Sequence, residues 1–159
     1  MRTTEYLVKF FNTLTHDETL KRLLIYKPKH SLDDPLDKTK PDIEMDWKKI
    51  DEVILRSPKT DEMSKKSICR ICMYLGFRTK SNNFRVDTQD IVFDIYAHIE
   101  GFDEVDFRLS QIIDRLSELL QDKKLAGVNK TTLRTSTYIA NPPSGYVGYR
   151  MVYKFGSVV

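Results

Sequence analysis

Along the first quarter of the chain, apolar side chains return every three or four positions. Leu7, Phe10, Phe11 and Leu14 fall at i, i+3, i+4 and i+7, which predicts an amphipathic helix over residues 3–14. Thr15 and Glu18 have capping-box spacing, so a second helix is expected from about Asp17, burying Leu20, Leu23 and Leu24. Both stripes are read as core rather than as partner surface. Between residues 27 and 41 the periodicity stops. The stretch KPKHSLDDPLDKTKP holds three prolines and alternating charges. A loop of that length in a compact domain is disordered or engaged with something, and the sequence leaves both open. A third helix is expected beyond it, with Ile43, Trp47, Ile50 and Ile54 on one buried face, stopping before Ser57-Pro58 because the residue ahead of proline resists helical geometry.

After residue 66 the period shortens to two. Residues 67–77, rich in β-branched, sulfur-containing and aromatic side chains, predict a strand, and TKSNNFRVD a polar connection. Residues 89–99 place Ile91, Phe93, Ile95, Ala97 and Ile99 on one face and Val92, Asp94, Tyr96 and His98 on the other, the pattern of a half-buried strand. Past a tight turn at Gly101 and Phe102, Leu109, Ile112, Ile113, Leu116, Leu119 and Leu120 mark the longest apolar stripe of the chain. Ile113 lies at its expected centre, and Asp103 or Asp106 can cap the helix. Two further strands, 131–139 and 146–155, flank the turn NPPSG. In the second of them Val147, Tyr149, Met151, Tyr153 and Phe155 oppose Arg150 and Lys154. The elements predict one α+β domain over 1–159, with an antiparallel sheet of about four strands and helices packed on one face. Its helical N-terminal part, 1–56, carries the loop 27–41, and 57–159 hold the sheet and the long helix.

A chain of 159 residues can bury roughly 70% of its unfolded surface in one core. A net charge of +3 with 31% charged residues is only mildly basic, without the clustered excess of a dedicated nucleic-acid binder. No apolar run is long enough to span a membrane, and the first residues lack the apolar core of a signal peptide, so an intracellular protein without membrane contact is expected.

Candidate chemistry is sparse. Cys69 and Cys72 are spaced CxxC, but on a strand positions i and i+3 face opposite sides, and His16, His30 and His98 are too scattered to complete a zinc set. Both cysteines are read as small buried hydrophobes. Asp90 and Asp94 share one strand face and could hold a divalent ion as a nuclease does, yet 67–77 supplies no carboxylate beside them, so they are read as a solvated face. Asp106, Arg108, Asp114, Arg115 and Glu118 are read as helix-surface charges. Gly145-x-x-Gly148 lacks the Lys-Ser/Thr ending of a phosphate loop and lies at a hairpin. Tyr146, Tyr149 and Tyr153 interleave with Arg150 and Lys154 as in a base-stacking platform, but strand alternation produces the same pattern. No set of residues forms a catalytic constellation. The expectation is scaffold: no enzyme, no metal and no cofactor.

The strand DIVFDIYAHI, the helix ending IIDRLSELL, the LAG after it, the Pro-Pro hairpin and the terminal strand GYVGYRMVYKF together resemble the tail-completion proteins of long-tailed bacteriophages, over about residues 54–156. These are the tail terminators and head-to-tail joining proteins. The resemblance implies a virion protein of the neck or tail, assembled in the bacterial host cytoplasm. It implies a homo-oligomeric ring, a hexamer, that terminates the tail tube, meets the tail tube protein and the head-side connector protein, and lets genomic DNA pass without sequence readout. The assembly surfaces are then expected at His30, Asp33, Asp34 and Asp37 of the loop, at Asn82, Asn83 and Phe84 of the polar connection, and at Tyr146 and Tyr149 beside NPPSG. The alternative is a small intracellular module that binds nucleic acid or metal through the Tyr/Arg hairpin or the CxxC pair.

Overall fold

In the structure, a computed structural model describing residues 2–159, the 3.6-residue period yields helices α1 (Arg2–Thr15) and α2 (Glu18–Ile25). Asp17 is the cap of α2: its Oδ2 accepts the Leu20 N–H at 2.8 Å. Thr15, expected in that role, is buried inside the last turn of α1. Helix α3 (Trp47–Val53) is shorter than predicted, because Ile54–Leu55 leave it as strand β1 to pair with Ile71 and Cys72. Trp47 is not core. It stands at the first helical position, half exposed, with its indole stacked over Phe11 at 6.4 Å between ring centres.

The sheet comprises β1, β2 (Cys69–Lys80), β3 (Val86–His98), β4 (Thr132–Tyr138) and β5 (Tyr146–Val158) in the order β1-β2-β3-β5-β4. All neighbours are antiparallel except β1 and β2, so the α+β expectation holds with a mixed sheet of five strands rather than about four antiparallel ones. β3 pairs with β5 over its whole length, from Val86↔Val158 to His98↔Tyr146. Ile99 is not its last residue but opens a wide helical turn, Ile99–Asp103.

Helices pack on one face, as the alternation requires. Ile71, Met73, Ile91, Phe93, Ile95, Met151, Tyr153 and Phe155 point to that face and meet Phe10, Leu14, Leu20 and Leu24 from α1 and α2. Phe10 sits 6.3 Å from Phe93 and 5.3 Å from Phe155, and Phe93 lies 6.0 Å from Tyr153, edge-on or tilted as ring quadrupoles favour. Cys69 joins this core, whereas Cys72 faces the other side of the sheet among Met63, Tyr96 and Tyr146. Both thiols are free and buried, on opposite faces as the spacing predicts.

The chain reaches its longest helix through the turn at 99–103, one further helical turn α4 (Glu104–Asp106), and Phe107 in the left-handed region at φ 54°. Helix α5 (Arg108–Leu120) begins there, with Asp103 Oδ1 accepting the Leu109 N–H at 3.0 Å. Asp106 does not cap it. Its carboxylate binds Arg108, which is fully buried rather than a surface charge. Arg108 donates to the Leu23 and Tyr26 carbonyls at 2.7 and 2.6 Å. Those oxygens lie at the C-terminus of α2, where the helix has no donors of its own left to offer. The buried face of α5 is Ile112, Leu116 and Leu120, with Leu109, Ile113 and Leu119 only partly covered, so Leu116 rather than Ile113 is the centre of the stripe. Leu116→Ala is therefore expected to cost about 3 kcal/mol, and Ile113→Ala well under half of that. Urea unfolding of both variants checks this, and equal losses would mean the helix is rotated from this packing.

Candidate functional site

The sheet face opposite the helices carries most of the polar organisation. Asp94, 2% exposed, accepts Arg150 Nε at 2.7 Å and Nη2 at 3.1 Å, and the Tyr74 hydroxyl at 2.6 Å. Asp90, likewise buried, accepts Arg134 Nε at 2.7 Å. These carboxylates are not a solvated face. β5 and β4 lay arginine side chains over them and exclude water, leaving the arginines themselves partly exposed. The neighbouring carboxylate pushes the Arg150 guanidinium well above its ordinary value, and burial, then the hydrogen bond to Asp94, push the Tyr74 phenol up. Four residues along a strand separate Asp90 from Asp94 by about 13 Å, too far to chelate one ion. Among the described residues no group of three or more His, Cys, Asp or Glu is placed to hold a metal.

The β–turn–α junction brings a serine against a histidine. Ser67 Oγ lies 3.2 Å from His98 Nδ1, which also accepts the Gly101 N–H at 3.0 Å, and Lys27 Nζ donates to Ser67 Oγ at 3.0 Å. With Nδ1 an acceptor, the ring proton sits on Nε2. A nucleophile–base pair also needs a group that orients the base and a place for the reacting atom. Here the ring stacks edge-on against Tyr146, and among the described residues no carboxylate bonds it. A Cβ on Gly101 would overlap Ser67 Oγ, so any larger residue there would have to displace the Ser67 hydroxyl from His98. The contact works as a clamp that ties the start of the long loop to the end of β3.

The expected assembly residues divide between the two ends of the molecule. The loop 27–41 is ordered, because Arg22 of α2 reaches into it. Its guanidinium donates to the Asp37 carbonyl at 3.0 Å, the Lys40 carbonyl at 2.9 Å and the Asp42 carboxylate at 2.8 Å, and the Tyr26 hydroxyl bonds the Pro41 carbonyl. Asp33 is committed to Lys40 at 2.6 Å and to the Lys29 N–H, while Asp34 and Asp37 accept the N–H groups of Leu36 and Thr39. Hydrogen bonding from Lys40 lowers the Asp33 carboxyl, and that from Thr39 lowers Asp37. His30 is exposed and accepts the Leu32 N–H at 3.2 Å. These side chains build turns rather than waiting free for a partner. Arg22→Ala is expected to release the loop, seen as faster cleavage within 29–40 by limited proteolysis with the helical core still protected. An unchanged cleavage rate would mean that the loop holds itself.

Asn82, Asn83 and Phe84 lie at the tip joining β2 to β3. Asn83 Oδ1 accepts the Arg85 N–H at 3.0 Å, Asn82 is exposed, and Phe84 is 85% exposed with the Arg85 guanidinium 5.5 Å from its ring. This tip and Tyr146 stand at opposite ends of β3, which spans roughly 40 Å. Tyr146 is buried and donates to the Lys66 carbonyl at 2.7 Å. Tyr149 points to the other sheet face, with its hydroxyl 3.1 Å from Ser136 Oγ. Neither projects from the hairpin as the sequence suggested. With Tyr146 and Tyr153 buried and Arg150 held by Asp94, the stacking platform of the alternative reading is taken apart as well.

Sequence reasoning missed the Asp–Arg ladder, although a signal for it exists. Asp90 and Asp94 are four apart on β3, and Arg150 and Lys154 are four apart on β5. The antiparallel register places Asp94 across from Arg150 and Asp90 across from Lys154.

Two comparisons bear on kinship. The YomW family model matches residues 17–155. The SPbeta prophage-derived protein YomW of Bacillus subtilis (strain 168) is 34% identical over 168 aligned positions, covering 98% of this chain and 97% of the relative.

Proposed function

The chain belongs to the YomW family, and from that premise we propose that it is a structural protein of a phage particle, acting in the neck or tail. The observation that carries this reading is the near end-to-end kinship with a prophage-derived protein. The finer role is that of a tail-completion protein: a homo-oligomeric ring, a hexamer, that ends the tail tube and joins it to the head-side connector while DNA passes through. The distribution of exposed apolar side chains favours a protein that docks. Phe77 and Phe84 stand 81% and 85% exposed at one end of the sheet, an apolar pair that a docked neighbour would cover. No helix of the described residues is long and apolar enough to cross a membrane. The test is a phage or induced prophage lacking this gene. Unjoined heads and tails, rescued by supplying the gene in trans, are the expected result, together with rings of the purified protein by electron microscopy. Fully infectious particles from the deletion would end the proposal.

A further inference from the structure

The two edges of the sheet are unequal. On β2 the short strand β1 covers only Ile71 and Cys72, so from Met73 to Lys80 one side of the backbone has no strand beside it. Next to this edge runs an apolar groove of about 380 Å³, walled by Leu7, Val8 and Phe11 of α1 and by Met73 and Leu75 of β2. Val8 and Leu75 remain exposed along it. An open strand edge beside an apolar trough is the arrangement into which an extended peptide adds as a new strand. Main-chain hydrogen bonds then supply affinity, and alternate side chains enter the trough.

Charge says what kind of peptide. Arg56, where the chain leaves β1, lines the groove with its guanidinium 5.0 Å from the Phe11 ring centre. Among the described residues no carboxylate pairs with it, and a ring face does not neutralise a full charge. At the far end Lys80 is exposed, while Arg78 is already held by Asp87 at 3.0 Å. A second copy is a poor occupant. The other sheet edge, β4, contains no Asp or Glu, its Arg134 is already held by Asp90, and it is preceded by Lys123, Lys124 and Lys130, so joining the edges of two copies sets lysines beside the basic groove. The bulge between Leu75 and Arg78 twists the distal half of the edge, which a flexible peptide can follow more readily than the rigid edge strand of a second copy.

We propose that the edge Met73–Lys80 and its groove form a docking site for an extended segment of a partner protein in which apolar and acidic side chains alternate. This rests on the reading of the chain as an assembly protein and names where it takes hold of a neighbour.

The probe is a synthetic peptide of alternating valine and glutamate, followed by fluorescence anisotropy and by amide hydrogen exchange of the full chain. Saturable binding is expected, with exchange slowed within 73–80. Arg56→Glu and Val8→Asp, both at exposed positions, should each weaken binding by at least about tenfold while melting like the unaltered chain. A peptide of alternating valine and lysine should not bind. No saturable binding, equal binding of the lysine peptide, or unchanged affinity in both variants would overturn the proposal. So would protection of 73–80 that grows with protein concentration alone, which would give the edge to a second copy. Failure here leaves the assembly role to be decided by the deletion phage. A deletion phage that assembles normally would remove the role while peptide binding still stood.

Discussion

Replacing Arg150 by alanine should destabilise the protein by about 3 kcal/mol at neutral pH, clearly more than replacing its partner Asp94. The asymmetry follows from where each charge sits. Asp94 is 2% exposed at its side chain and Arg150 is 45% exposed. Without Arg150, the carboxylate keeps the Tyr74 hydroxyl but loses both charged donors, in a place that water reaches poorly. Without Asp94, the guanidinium can swing into solvent, and the main loss is the acceptor for Tyr74, a cost of about 1 kcal/mol. The double variant should sit near Asp94→Ala rather than at the sum, because the residues share one interaction. Urea unfolding of the three variants decides the matter. Equal costs for the two single changes would mean that Asp94 is wetter than this packing implies.

A steep loss of stability in alkali is the second large effect. Burial is the largest cause raising the acidic protons of Cys69, Cys72, Tyr74, Tyr96, Tyr146 and Tyr153. Cys72 is pushed from 9.0 up to about 12 and Tyr96 from 10.0 up to about 12. A group whose folded value lies above its unfolded one contributes its full stabilisation below the unfolded value and loses it as pH rises towards the folded one. The window therefore opens near 9.0 for the thiols and 10.0 for the phenols. Within it the unfolded chain sheds protons that the folded chain keeps. One group contributes about 1.4 kcal/mol per pH unit, so Cys72 alone accounts for on the order of 4 kcal/mol across its interval. The midpoint of urea unfolding should stay flat below the window, as far as these groups are concerned, and fall sharply inside it. Cys72→Ala should make that fall shallower despite its own packing cost. A slope unaffected by the substitution would show that the thiol is not the buried acid described.

Much of the architecture is legible in local pattern. The period-3.6 stripe of Phe10, Phe11 and Leu14 and the period-2 run Ile91, Phe93, Ile95 each have one way to bury their apolar side, and the structure adopts it. The opposite orientation of Cys69 and Cys72 follows from the same geometry. What the pattern misjudges are polar and amphipathic residues, whose fate depends on what the fold brings near them. Arg108 looks like a surface charge until α2 ends beside it with free carbonyls. The loop 27–41 looks free until Arg22 reaches its backbone. Trp47 looks like core, yet it stands half exposed at the first position of α3, stacked on Phe11. Tyr146 looks like a projecting contact, but it fills the space between His98 and the Lys66 carbonyl. In the sequence alone lay the faces of helices and strands, because periodicity is a property of neighbours along the chain. Only the tertiary structure decided which charges are buried, since Asp94 and Arg150 become partners when β3 and β5 come into register, 56 residues apart.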